Sequence, residues 1–123
     1  MKNPNDNFLR GRIRSLKFAL RGAWLLISTE HSIMVQFTIA IIMTIVGFIF
    51  NISTVEWMFQ LVAIGLVMVA ESLNTGIEKL SDFIHPDYHK KIGFIKDISA
   101  GAAAIAAIVA IIIGLIIYIP KFS

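Results

Sequence analysis

Residues 98–119 read ISAGAAAIAAIVAIIIGLIIYI, twenty-two residues without a charged side chain. At about 1.5 Å per residue such a run as an α-helix covers the roughly 30 Å of a bilayer's hydrocarbon core. Tyr118, Pro120 and Lys121 close it with an interfacial ring, a helix stop and a cation. The small residues of its first half, Gly101 to Ala104, let another helix approach closely.

Working outward, two further apolar runs appear. Residues 33–50 hold Gln36 as their one strongly polar side chain, and residues 55–75 begin with Glu56 and Trp57 at an interface, after a short turn over 51–54. Before them, residues 8–29 place Phe8, Ile13, Leu16, Leu20, Ala23 and Ile27 on one side of a helix. Arg10, Arg14, Lys17 and Arg21 lie on another side, the pattern of an amphipathic surface helix facing anionic headgroups. The polar residues 1–7 (MKNPNDN) are expected to fray. Ser28, Thr29, Glu30 and His31 interrupt the apolar stretch behind the basic residues with no small-residue cleavage pattern, which argues against a cleaved signal peptide. The expected fold is one all-α membrane domain over 1–123, a surface helix at about 8–29 followed by transmembrane helices at about 33–50, 55–75 and 98–119.

Composition agrees. A chain that is 57% hydrophobic, with a mean hydropathy of +0.79, has too little polar side chain to cover a soluble globule. The net charge of +3 does not call for nucleic acid, because the basic residues flank apolar spans. Six Lys or Arg precede residue 22, none lies between the first two spans, four lie between the second and third, and one follows. That asymmetry predicts a cytoplasmic N-terminus and an external C-terminus. With no cysteine in the chain, disulfide frameworks and thiolate chemistry are excluded.

Chemistry concentrates in AESLNTGIEKLSDF, residues 70–83, where Glu71, Asn74, Glu78 and Asp82 share one narrow helical stripe. Glu71 follows a long apolar run, so its carboxylate meets the membrane boundary, where an ionisable group is costly and usually functional. Lys96 and Asp97 open the third span and Glu30 precedes the first, so acidic groups from three helices gather on one membrane face. Oxygen donors without Cys or paired-His spacing suit a hard cation such as Mg²⁺. A structural reading of Asp82, as a partner for Lys96, stands beside the functional one. His85 and His89 flank HPDYH at a helix end and read as a solvated loop pair. Neither GxxxxGK[ST] nor the protein-kinase signature set occurs. The residues alone therefore lead to a divalent-cation site facing the cytosol, and they leave open a small proton-coupled transporter subunit or a membrane scaffold.

AESLNTGIEKLSD, followed by DYH and then IKDISAGA, resembles the prokaryotic diacylglycerol kinase family, which includes undecaprenol kinases. The resemblance implies a homotrimer that uses ATP to phosphorylate a membrane lipid hydroxyl, of diacylglycerol or undecaprenol, at sites between subunits. It further implies Glu71 as general base, Glu30 and Glu78 as ligands of the metal that bridges ATP phosphates, and Asn74, Asp82, Lys96 and Asp97 as nucleotide and lipid contacts. HPDYH and DISAGA look more like the undecaprenol-kinase branch. EHSIMVQ departs from the family pattern after Glu30, with Gln36 where a carboxylate or His is common.

The topology is testable because the chain lacks cysteine. Single Cys probes at Ser15 and Asp87 are expected to react from the cytosol, and probes at Ser53 and Ser123 only from outside. Labelling of Asp87 from outside would overturn the orientation.

Overall fold

The computed structural model describes residues 5 and 7–123, and the fraying expected of the other N-terminal residues lies outside them. Four α-helices follow in order: α1 Phe8–Thr29, α2 His31–Ile49, α3 Thr54–Ile84 and α4 Lys90–Tyr118, with a short 3₁₀ turn at Ile119–Phe122. α2, α3 and α4 are each long and apolar enough to cross a membrane. Lipid offers no partner for backbone N–H and C=O groups, so a chain of this composition satisfies them along helices.

The breaks between helices have local causes. Asn7 caps α1 by accepting the Arg10 N–H at 2.8 Å. α1 and α2 are separated by one residue, Glu30, whose extended backbone (φ −99°, ψ 116°) turns the chain between them. α2 ends in a Schellman turn: Ile52 N–H reaches the Gly47 carbonyl and Asn51 N–H that of Phe48, each at 3.2 Å. Asn51 takes the left-handed position at φ 51°, which asparagine tolerates better than most residues. Ser53 then caps α3 in a capping box with Glu56.

α3 packs mainly on α4 and more lightly on α2. Ala63, Val67, Ala103 and Ala106 are buried, small side chains that let helices approach. Near the α2–α3 turn, a Cβ at Gly47 would lie 2.6 Å from the Trp57 ring, so glycine is needed for that contact. Gln60 ties three helices together: its amide donates to the Met43 carbonyl of α2 at 2.9 Å and accepts from the Tyr118 hydroxyl of α4. Lys121 donates to both oxygens of Glu56, at 2.9 and 3.1 Å.

Two helices run beyond their apolar spans. α3 continues from residue 75 to Ile84, and α4 begins at Lys90 rather than near residue 98. The ladder continues in polar sequence because no proline interrupts 75–84 or 90–97, and the single glycines Gly76 and Gly93 are carried within it. At about 1.5 Å per residue α3 is about 46 Å long, well over the roughly 30 Å hydrocarbon core, so part of it extends beyond that core. Along its whole length Val55, Phe59, Val62, Leu66, Val69, Leu73, Ile77, Leu80 and Ile84 recur every three or four residues, and every one is exposed.

Candidate functional site

The carboxylate stripe forms on α3 as its spacing predicts. Glu71, Asn74 and Glu78 are half-buried and Asp82 is exposed. The Asn74 amide nitrogen donates to Glu78 Oε1 at 3.4 Å, while Asn74 Oδ1 is buried without a partner. Leaving a buried acceptor unpaired costs about 1–3 kcal/mol. Among the described residues Glu71 makes no hydrogen bond or ion pair.

Two other elements converge on this stripe. Glu30 does not cap its own helix; its carboxylate meets Lys79 Nζ at 3.1 Å and keeps only 23% of its side-chain exposure. Lys79 directly follows Glu78, so the α1–α2 junction is drawn to the same turn of α3. From α4, Lys96 donates to Asp82 Oδ1 at 2.8 Å. Lys96 lies in polar turns ahead of the apolar run, and the bond to Asp82 holds its ammonium above the ordinary lysine range. It therefore stays cationic. Asp97 is exposed on the next residue and has no partner among the described residues.

Asp82 is thus in the ion pair that a structural reading anticipates, and Glu71 is not. Sequence reasoning missed Lys79 as the partner of Glu30, since nothing local links residues so far apart. The histidines serve helix ends. His85 Nδ1 lies 2.7 Å from the Asp87 carbonyl, and His89 Nδ1 accepts the Lys91 N–H at 3.1 Å at the start of α4.

The donors fit a hard cation in kind: carboxylate oxygens and an orphaned amide oxygen, without thiolate or clustered imidazole. Among the described residues no three His, Asp or Glu form a metal-binding group. Mg²⁺ commonly takes one or two carboxylates and completes its shell with phosphate and water.

A family model described as prokaryotic diacylglycerol kinase matches residues 17–118. The chain is 36% identical over 115 residues to the undecaprenol kinase of Bacillus subtilis (strain 168), covering 94% of both chains. It is 29% identical over 93 residues to the diacylglycerol kinase of Escherichia coli (strain K12), covering 76% of this chain and 74% of the relative.

The unpaired oxygen of Asn74 yields a stability test. Asn74→Leu removes a buried unsatisfied group, and its thermal midpoint in detergent is expected to equal or exceed wild type while function is lost, the trade-off of a strained site. A clear fall in the midpoint would instead give Asn74 a structural role.

Proposed function

The chain belongs to the prokaryotic diacylglycerol kinase family, and from that premise we propose that it transfers the γ-phosphate of ATP to the primary hydroxyl of a membrane lipid, undecaprenol or diacylglycerol. The observation that carries this reading is the line Glu71, Asn74, Glu78 and Asp82 on α3, joined by Lys96 from α4 and by Glu30 through Lys79.

Glu71 stands where the apolar run of α3 ends, at the depth a lipid hydroxyl occupies. Its free carboxylate accepts the hydroxyl proton as that oxygen attacks the γ-phosphorus; the bond to the bridging oxygen breaks and ADP leaves. Glu30 and Glu78 are the residues that would hold Mg²⁺, which when bound offsets the charge on the ATP phosphates. Lys79 beside Glu30 then exchanges its partner for solvent or phosphate. Asn74, Asp82, Lys96 and Asp97 hold nucleotide and lipid headgroup, with Asp82 keeping the Lys96 ammonium in place. Asn74 Oδ1 gains a donor from a bound hydroxyl. Positioning and charge stabilisation supply most of the rate.

Membership of a prokaryotic family supports a bacterial inner-membrane location, and the charge asymmetry supports the N-terminus and this site lying in the cytoplasm, where ATP is available. The exposed cations and apolar side chains of α1 support its lying on the membrane surface. A proton-coupled transporter is disfavoured, because no acidic residue lies in the middle of a span.

Self-association, as in the homotrimer that the resemblance implies, is supported by the exposed seam on α3. Its three-and-four spacing is that of a coiled-coil interface, and the turns beyond the bilayer leave Ile77, Leu80 and Ile84 without lipid cover. Copies inserted with one orientation would meet in parallel. The seam lies opposite the carboxylate line, so contact along it leaves Glu71 uncovered, and a site between subunits would be completed by other helices of a neighbouring copy. A single Cys at Leu80 is expected to form disulfide-linked dimers on mild oxidation, whereas one at Asp82 is not. Equal crosslinking at both would discard the seam.

Catalytic roles separate by kinetics. With labelled MgATP and lipid in mixed micelles, Glu71→Gln is expected to lower kcat by roughly 10²- to 10⁴-fold with little change in ATP binding. Glu78→Gln is expected to weaken Mg²⁺-dependent nucleotide binding, and Glu56→Gln to leave turnover near wild type. Identical behaviour of all three would sink the assignments, and failure of wild type to label any lipid would sink the kinase.

A further inference from the structure

The backbone of Glu30 belongs to two helices at once. Its N–H donates to the Leu26 carbonyl at 3.2 Å, closing the last turn of α1, and its carbonyl accepts the Met34 N–H at 3.0 Å, opening the first turn of α2. Fixed in this way, the residue sends its carboxylate across to α3, where Lys79 Nζ meets it at 3.1 Å. Lys79 directly follows Glu78 in the chain. One ammonium therefore sits on one of the two carboxylates assigned to the metal and on the residue next to the other.

Folding stability does not account for this pair. The Lys79 side chain is 66% exposed, and exposed ion pairs contribute little because water already solvates the charge. A weak pair is an exchangeable one. Glu30, at 23% side-chain exposure, is the more enclosed partner, so a second cation would have to approach it through space that the Lys79 ammonium shares. A dication and an ammonium on one carboxylate repel each other. At Glu30, then, Lys79 and a metal are alternatives. Lys79 also has no second carboxylate waiting on its own helix, because Asp82 is already bound by Lys96.

We propose that Lys79 is the built-in counter-ion of Glu30, competing with free metal for that carboxylate until nucleotide phosphates draw its ammonium away, so that Mg²⁺ is taken up as MgATP rather than ahead of it. The inference rests on the lipid-kinase reading and adds the order of binding to it. A free divalent ion must displace an ammonium that has no other anion to receive it. The phosphates of a nucleotide are such an anion, and giving up a weak pair for them costs little. Lysine suits the exchange, since a compact charge on a flexible stem can serve two partners in turn. When product leaves, the ammonium returns to Glu30 and again opposes free metal. Lys79 is a positioning residue that acts through Glu30.

The test reads metal and nucleotide separately on detergent-purified wild type, Lys79→Met, Lys79→Gln, Lys79→Arg and Lys90→Met. Lys90 is exposed in the first turn of α4, and its loss controls for the removal of one positive charge. Binding of Mn²⁺ without nucleotide is followed by the electron paramagnetic resonance signal of the free ion, and binding of the Mg²⁺ complex of adenylyl imidodiphosphate by calorimetry. Both neutral Lys79 variants are expected to bind Mn²⁺ roughly fivefold more tightly, the upper range for an exposed ion pair. The same variants are expected to bind the nucleotide complex more weakly. Lys79→Arg and Lys90→Met are expected to follow wild type in both measurements. Adding Glu30→Gln to Lys79→Met is expected to abolish the gain in Mn²⁺ affinity. Shifts of the same sign, as a purely structural role would give, or no shift at all, overturn the proposal. So does a Mn²⁺ gain that survives Glu30→Gln. Lipid labelling by the same wild-type preparation separates the two readings: with labelling, these outcomes remove the role of Lys79 and leave the kinase. Without labelling of any lipid, both fall.

Discussion

The structure depends on the unbroken hydrogen-bond ladder of α3. Within lipid a helix cannot surrender its backbone bonds, because nothing there replaces them. Thirty-one residues from Thr54 to Ile84 therefore form one rod with one fixed pitch. That pitch sorts the side chains. One line carries Gln60, Ile64, Val67, Glu71, Asn74, Glu78 and Asp82, and the opposite line carries the exposed leucines, valines and isoleucines. The polar site and the apolar seam are two readings of a single helix.

The two ends of the rod are held by interactions of different strength. At the Thr54 end Glu56 completes the cap of α3 and also binds Lys121, while Gln60 bonds to α2 and α4 in a buried setting. Phe50 stacks edge-on with Tyr118 and Phe122, at ring separations of 5.8 and 5.3 Å. At the Ile84 end the ties are the pairs Glu30–Lys79 and Asp82–Lys96, each with at least one partner well exposed, and such pairs contribute about 0–1 kcal/mol. The end that carries the proposed site is therefore the more easily rearranged. Substrates bound there would replace those ion pairs without disturbing the packed half near Gln60.

Much of this was legible in the sequence because the relevant signals are local. Hydropathy marks the three spans, and helical periodicity places the four stripe residues together. The Asp82–Lys96 pair appears among the readings of the sequence since both residues flank the same connector. Other features depend on distances that no local pattern reports. Hydropathy shows where hydrocarbon starts, not where the helical ladder does, so the early start of α4 at Lys90 is hidden. Gln60 looks like an isolated amide in an apolar run until Met43 and Tyr118 are brought to it. The Glu30–Lys79 pair and the buried, unpaired oxygen of Asn74 arise only when helices from separate parts of the chain close together.

The single-residue joint at Glu30 and the unbroken length of α3 together limit how the chain can vary in length. One residue inserted between Gln60 and Glu71 would rotate the carboxylates by about 100° relative to the Gln60 bonds to α2 and α4, and two would carry them towards the opposite face. Compensation by a local bulge would expose backbone groups to hydrocarbon. An extra residue beside Glu30 would likewise pull its carboxylate from Lys79. The connector over 85–89 contains no such phase relation, because a proline and an exposed turn already separate α3 from α4. Insertions and deletions are thus disfavoured by geometry within α3 and beside Glu30, and the connector is where the chain can change its length without rotating one part of the site against another.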